Sequence, residues 1–292
     1  MKKIFTILFI CMIACCLFTT CDVIENPIKE GTVVWNKRKI LIYDFTGHRC
    51  NNCPEGHKIL EELEKIYGDS VIVPVAIHCT SFAKIIVYPE NFTGPKKYTY
   101  DFRTEIGDYL GGKDENPGFW GNLTLPIGLI NSLSGDKLKN ITAWATEAQK
   151  YILSIPEFFI NITTNFSEDS TISCDIKIKT NLENSKNLNL VVFLTEDSII
   201  QGQRTNDSSL QDGYNPEYHH SNILRAGFNI EKVWGDNINK DKKLVYQSEI
   251  NKSYSMSAKK HDWKIENCNI VAFIYDYNTK EVYQVEKVRI KK

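Results

Sequence analysis

Two cysteines separated by two residues, Cys50 and Cys53, stand between a strand and a helix that the sequence predicts. The apolar run at 39–45 is rich in β-forming residues and indicates a buried strand. Apolar residues then recur at helical spacing over 54–67, and a second buried strand is predicted at 71–77. This order of strand, CxxC, helix and strand predicts an α/β N-terminal half, and it is the setting in which a CxxC pair supports redox chemistry.

The position of Cys50 predicts a reactive sulfur. At the N-terminus of a helix, unpaired backbone N–H groups and the helix dipole favour a thiolate over a thiol. His48 and Arg49 precede this cysteine and add positive charge beside it. Cys53, one turn into the helix, would then attack or close the bond. These residues therefore predict thiol–disulfide exchange, with Cys50 as the nucleophile and Cys53 as the resolving cysteine.

Two other interpretations of the cysteine pair stay open. Cys50 and Cys53 could form a permanent disulfide that closes a short loop on a binding protein, since a fold does not determine a function. The pattern also places His48 two residues before Cys50 and His57 four residues after Cys53, which is a set of ligands for Zn(II) or Cu(I). Because structural zinc sites usually take their second ligand pair from further along the chain, we predict no metal and no cofactor.

The segment at 45–55, Phe-Thr-Gly-His-Arg-Cys-Asn-Asn-Cys-Pro-Glu, resembles the outer-membrane-protein-28-like (Omp28-related) lipoproteins. That resemblance implies a thioredoxin-like domain followed by a β-rich domain. It also implies a role for Pro126, which stands where a thioredoxin-like fold carries a cis-proline loop that faces the cysteine pair and holds an extended partner chain. The Leu125–Pro126 bond is therefore expected to be cis, a form found in about 5 to 6% of X–Pro bonds in folded proteins.

From residue 157 onward the helical periodicity gives way to alternation, which is clearest at 172–178. About seven strands with turn signals between them predict an immunoglobulin-like β-sandwich. Cys174 and Cys268 both point inward by parity, and we expect a structural disulfide between them, with two buried free thiols as the alternative. The long polar segment at 196–239 contains aromatic residues and is expected to pack mostly against the sandwich.

The first residues predict export and a lipid anchor. Two lysines precede an almost wholly apolar run at 4–18, which is the pattern of a secretory signal peptide. The run is shorter than the ~20 apolar residues that a membrane helix needs. Residues 17–21 resemble the lipobox of lipoproteins, so we expect lipidation of Cys21, with an ordinary signal peptide as the alternative. The predicted organisation is a signal peptide at 1–20, a tether at 21–34, a thioredoxin-like domain at 35–155 and a β-sandwich domain at 156–292.

The charge balance of the mature chain gives no indication of a nucleic-acid partner. Removal of residues 1–20 takes away two of the 35 basic residues, which leaves 33 against 36 acidic residues and a formal charge of −3. We therefore expect a protein of the outer membrane or cell envelope, anchored to the membrane by its lipid, that exchanges disulfides with envelope proteins. The alternative is a non-enzymatic surface adhesin or receptor in which the bond between Cys50 and Cys53 is structural.

Overall fold

The computed structural model describes residues 37–229, 233–240 and 242–291. The predicted signal peptide at 1–20, the lipidation site Cys21 and the tether at 21–34 lie outside the described residues, so these features stay predictions. Within the described part of the chain, no helix is long and apolar enough to cross a membrane.

Most of the secondary structure of the described residues is β-strand, and these residues also form three α-helices. The helices are α1 (Cys53–Tyr67), α2 (Glu105–Gly111) and α3 (Trp144–Ile152). The first seven strands are β1 (Ile40–Thr46), β2 (Ile72–His78), β3 (Ile127–Ile130), β4 (Lys139–Asn140), β5 (Phe158–Phe166), β6 (Thr171–Thr180) and β7 (Leu188–Glu196). The others are β8 (Ile199–Arg204), β9 (Tyr214–His220), β10 (Ile223–Gly227), β11 (Asp236–Asn237), β12 (Glu249–Ser257), β13 (Cys268–Asp276) and β14 (Val282–Arg289).

One mixed sheet forms the centre of the fold, in the order β14-β13-β7-β10-β2-β1-β3-β4, with β11 paired to β7. Strand β1 runs parallel to β2, with Thr46 opposite His78, and antiparallel to β3. Strand β10 joins β2 through the pairing of Ile223 with Ala76. The sheet therefore takes strands from both sides of the predicted boundary after residue 155, and that boundary stays a prediction.

The central strands are buried because both faces of the sheet are covered. Helices α1 and α3 cover one face, where Leu63 and Trp144 share a cluster with Ile40. On the opposite face Phe45 and Phe193 belong to a second cluster. Strands buried on both faces carry nearly continuous apolar runs, which explains the composition of β1 and β2.

A second sheet, in the order β12-β6-β5, packs against the part of the main sheet formed by β7 and β13. Strand β6 alternates as predicted, with Ile172, Ile176 and Ile178 buried. These side chains share one core with Leu190 and Ile274 of the main sheet. The β-rich fold is thus confirmed, while the thioredoxin-like and immunoglobulin-like assignments stay predictions.

The disulfide predicted between Cys174 and Cys268 is not formed, and both residues are free buried thiols. Their side chains lie in the core between the two sheets, as the alternation predicts. However, Sγ of Cys268 lies 3.4 Å from the Lys264 carbonyl oxygen at the start of β13, while Cys174 lies within β6 opposite Tyr254. Alternation determines which face a side chain occupies, but it does not determine where two side chains meet along the core.

Candidate functional site

Cys50 and Cys53 form a disulfide at the start of α1, where the sequence places them. Their Cα atoms are 5.5 Å apart. Helix α1 begins at Cys53, with Pro54 in its first turn, where a missing N–H leaves no helical hydrogen bond unmade. The Cys50 N–H donates to the Gly47 carbonyl oxygen at 3.0 Å, which holds this residue in the preceding turn. The pair therefore has the helix-terminal position on which the predicted exchange chemistry depends.

The Leu125–Pro126 peptide bond is cis, as predicted. It directly precedes β3, which pairs with β1. Leu125 belongs to the same buried cluster as both disulfide cysteines. The fold thus brings the proline loop to the core that contains the disulfide, while a role for Pro126 in holding a partner chain stays a prediction.

Both disulfide cysteines are closed to solvent. Cys50 is 2% exposed, and Cys53 is 0% exposed. A thiolate that attacks a disulfide must reach one of its sulfur atoms. In this conformation a protein partner cannot reach them, which differs from the expectation of an accessible nucleophile.

The hairpin of β8 and β9 lies over the cysteine loop, and we call residues 199–220 the cover. Nε2 of Gln203 donates to the Cys50 carbonyl oxygen at 2.9 Å and to the Gly47 carbonyl oxygen at 3.3 Å. The Arg204 N–H donates to the His48 carbonyl oxygen at 2.8 Å. Gln203 is itself fully buried. The cover is therefore hydrogen-bonded directly to the backbone around the disulfide.

The turn of the cover also contacts the two residues between the cysteines. The Asn51 amide donates to Asn206 at 2.6 Å, and the Asn206 amide donates to Asn52 at 2.7 Å. The sequence predicts that the segment at 196–239 packs mostly against the sandwich, whereas the cover, which is part of that segment, packs on the cysteine loop. The Asn51 and Asn52 side chains thus have a structural role in the contact with the cover.

Buried histidines line the inner side of the cover. His78 ends β2, His220 ends β9, and His48 lies on the cysteine loop; we call these three residues the histidine cluster. The Phe102 ring centroid lies 4.4 Å from that of His78 and 4.5 Å from that of His220. The His78 and His220 centroids are 5.7 Å apart. The cluster therefore joins the cover to the end of β2.

Burial keeps the histidine cluster neutral. It lowers the pKa of His48 from 6.5 to about 4, against a smaller upward effect of the Lys84 carbonyl oxygen, which lies 3.3 Å from Nε2. Burial also lowers the pKa of His78 and of His220 well below 6.5, and neighbouring histidines lower both further. The Gln201 backbone partly opposes the lowering of the His220 pKa. Among the described residues, the ring nitrogens of His78 and His220 make no hydrogen bond of ordinary geometry.

Asp44, His57 and Tyr218 connect β1, α1 and the cover. Asp44 is buried, and its Oδ2 lies 3.3 Å from Nε2 of His57. The same nitrogen lies 3.2 Å from Oγ1 of Thr46, and Nδ1 of His57 lies 2.7 Å from the Tyr218 hydroxyl. Burial raises the pKa of Tyr218, so its hydroxyl keeps a proton that it can donate to His57. These contacts hold β9 to α1.

The four residues of the metal alternative do not come together as ligands. The sulfurs of Cys50 and Cys53 are bonded to each other, while His48 contacts a backbone carbonyl and His57 contacts the cover. In the described ranges, no group of three histidine, cysteine or acidic residues is arranged to hold a metal ion. Cys79 is a buried free thiol, and burial raises its pKa, so it packs as a small apolar residue.

Sequence comparison identifies the family. The profile of the family described as outer membrane protein Omp28 matches residues 113–292. The chain belongs to the Omp28 family. The predicted family is thus confirmed, and membership of this outer membrane family agrees with the predicted place in the cell envelope. A comparison with curated proteins finds no match.

Two solved structures resemble this Omp28-family chain. HBP35 of Porphyromonas gingivalis has a TM-score of 0.56 and 13% sequence identity, and the match covers 88% of this chain and 76% of that chain. A domain of the outer membrane lipoprotein Omp28 from Porphyromonas gingivalis has a TM-score of 0.30 and 23% identity, over 47% of this chain and 91% of that chain. The likeness to HBP35 concerns the fold alone.

The Omp28 match and the cysteine motif occupy different parts of the chain. The resemblance is carried by the segment at 45–55, whereas the matched region begins at residue 113. The matched region contains Pro126 and the whole cover. Membership of the Omp28 family therefore rests on the part of the chain that covers the disulfide, and not on the disulfide itself.

Proposed function

We propose that this chain is a lipid-anchored outer-membrane protein that binds partners without catalysis, as a surface adhesin or receptor, and that its Cys50–Cys53 disulfide is structural. The observation that carries this proposal is the burial of both cysteines beneath the cover. A disulfide that a partner thiolate cannot reach acts as a structural cross-link. Closing so short a loop contributes about 2 kcal/mol to the free energy of unfolding in the chain-entropy model. Lipidation of Cys21 would supply the membrane anchor.

Thiol–disulfide exchange on envelope proteins is the second candidate, and one arrangement favours it. The disulfide lies at the start of α1, and the cis bond before Pro126 lies beside the same core. In that function Cys50 would attack and Cys53 would resolve the mixed disulfide. Parallel β1 and β2 with antiparallel β3 also support a thioredoxin-like domain at 35–155. The burial of both cysteines argues against turnover.

Two packed sheets support the finer proposal of an immunoglobulin-like β-sandwich in the second half. Strands β5, β6 and β12 pack on β7 and β13 through one apolar core. A rigid, β-rich body of this kind suits a binding protein, since loops at its ends can contact partners while the sheets stay unchanged.

The double substitution of Cys50→Ala and Cys53→Ala separates the two functions. If the bond is structural, the variant loses about 2 kcal/mol of unfolding free energy in urea, and wild type reduces insulin disulfides in the presence of a dithiol no faster than the variant. Cys79→Ala, which removes a buried thiol without a disulfide, is the matched control. Acceleration of insulin reduction by wild type and by Cys79→Ala, but not by the double variant, would establish exchange as the function instead.

A further inference from the structure

Five of the six histidines of the chain lie at the junction between the cover and the rest of the fold. The rings of His78 and His220 meet across Phe102, one from β2 and the other from the cover. His48 extends this contact to the cysteine loop, with its ring centroid 6.4 Å from that of His78. Nδ1 of His57 lies 2.7 Å from the Tyr218 hydroxyl, and His219 precedes His220 on β9. The attachment of the cover is therefore built around titratable rings.

The surroundings of His78 and His220 do not accommodate a positive charge. Both ring nitrogens of each residue are buried and have no hydrogen-bond partner among the described residues. The groups on the packed elements that lower the pKa of these rings are His48 on the cysteine loop, His57 on α1 and Arg225 on β10, and none of them carries negative charge. The Tyr218 ring centroid lies 4.9 Å from that of His220, and the Gln201 backbone only partly opposes the effect of burial on the pKa of His220. The neighbouring His219 is exposed. The nearby carboxylate of Asp44 lies against His57, at 3.3 Å, rather than against the pair. A proton on either ring would thus be buried without a counter-charge.

We propose that the cover is released by acid: protonation of His78 and His220 requires the β8–β9 hairpin to move away from β2, and this movement exposes the Cys50–Cys53 disulfide to solvent. The hairpin forms a two-stranded sheet of its own, so it can move while the ladder of the main sheet stays paired. Gln203 and His220 are both on the hairpin, so loss of the histidine contact also withdraws the donor to the Cys50 carbonyl oxygen.

The direction of the pH effect follows from proton linkage. In the closed state both rings are neutral, because burial lowers their pKa well below the ordinary 6.5. In the open state they are solvated and bind protons below about pH 6.5. The open state therefore takes up more protons as the pH falls. For each histidine, the population of the open state rises by up to about tenfold when the pH falls by one unit. Two histidines together give up to about 100-fold per unit.

Reduction by a water-soluble phosphine measures this opening. The phosphine attacks one sulfur, the S–S bond breaks, and the other sulfur leaves as a thiolate that takes a proton. Water then cleaves the phosphorus–sulfur bond, which yields the phosphine oxide and the second thiol, so that phosphorus supplies both electrons. Rates for the full chain at pH 7.5, 6.5, 5.5 and 5.0 are divided by those for oxidised glutathione, a small exposed disulfide, at the same pH.

We expect the normalised rate to rise at least 100-fold between pH 7.5 and 5.0 in wild type. The double variant His78→Phe and His220→Phe keeps the ring volumes and removes the titration, so its rate should stay within about threefold across the range. His261→Phe, an exposed histidine stacked on Trp263, is the matched control and should behave as wild type. A pH-independent wild-type rate, or a double variant with the wild-type profile, would overturn the proposal.

Hydrogen exchange provides a second measurement in wild type, in case the double variant does not fold. The Arg204 N–H, which donates to His48 in the closed state, should be protected at pH 7.5 and lose at least tenfold in protection at pH 5.0, after correction for the intrinsic rate. Equal protection at both values, or acceleration together with loss of the far-ultraviolet circular dichroism, would refute acid release. Neither outcome bears on whether the disulfide is structural, since that proposal concerns the closed protein.

Discussion

Gln203 is a buried polar side chain that attaches the cover to the backbone around the disulfide. Its amide nitrogen donates to the carbonyl oxygens of Gly47, Cys50 and Arg204. Burying a polar group without its partner costs about 1 to 3 kcal/mol. The bond to Cys50 joins residues 153 positions apart, so periodicity in the sequence could not have indicated it. The burial of Gln203 follows only from the folded structure, so the sequence carries no signal for this contact.

Gln203→Ala is expected to speed phosphine reduction of the disulfide at pH 7.5 by about tenfold, because losing these hydrogen bonds weakens the closed cover by about 1.4 kcal/mol. The reduced cysteines are counted by mass spectrometry after alkylation. Gln201→Ala is the matched control, since this half-buried residue of β8 makes no side-chain hydrogen bond in the described part of the chain. Equal rates for the two variants would show that Gln203 does not hold the cover closed.

Strand β6 shows how far alternation predicts an element. Residues 172, 176 and 178 face the core as predicted, because successive side chains of a strand point to opposite faces of the sheet. The pairing partners are not local: β6 lies between β5 and β12, and the latter follows it by about 70 residues. Alternation therefore predicted the buried face of Cys174 correctly and could not predict the separation of its sulfur from that of Cys268.

Ile176→Ala is expected to lower the free energy of unfolding by about 2 to 4 kcal/mol, because the side chain is 1% exposed in the core between the two sheets. Urea denaturation followed by circular dichroism measures the change. Lys177→Ala, on the opposite face of the same strand, should change it by less than about 1 kcal/mol, since its ion pair with Glu249 is at the surface. Similar losses in both variants would contradict the assignment of the buried face.

At the scale of the whole molecule, the core beside the disulfide is built from both halves of the chain. The Tyr43 ring centroid on β1 lies 6.3 Å from that of Phe193 on β7 and 6.0 Å from that of Phe273 on β13. Strand β10 further links β2 to β7 within one sheet. The N-terminal half therefore depends on the C-terminal half for a large part of its apolar contacts.

A fragment of residues 37–155 is accordingly expected to lack a cooperative unfolding transition in urea, because it exposes the cluster that Phe193 and Phe273 complete. The body at 37–291 should show one transition under the same conditions. Circular dichroism at increasing urea measures both. A fragment that unfolds cooperatively at the midpoint of the body would establish the boundary after residue 155 as that of an independent domain.

The sequence by itself determined the features that depend on near neighbours. They include the strands and helix around Cys50 and Cys53 and the alternation of β6, while resemblance to a family added the cis bond before Pro126. The start of α2 at Glu105 is likewise local, since the Thr104 side chain accepts a hydrogen bond from the Gly107 N–H.

Only the tertiary structure decided whether the disulfide is accessible. The cover, the histidine cluster and the insertion of β10 beside β2 each join residues more than 100 positions apart. Such contacts arise from how the chain closes on itself, and they leave no repeating pattern in the residues that make them. The cysteine pair at a helix start was thus visible in the sequence, while its burial beside Gln203 and the cover follows from contacts that the fold alone determines.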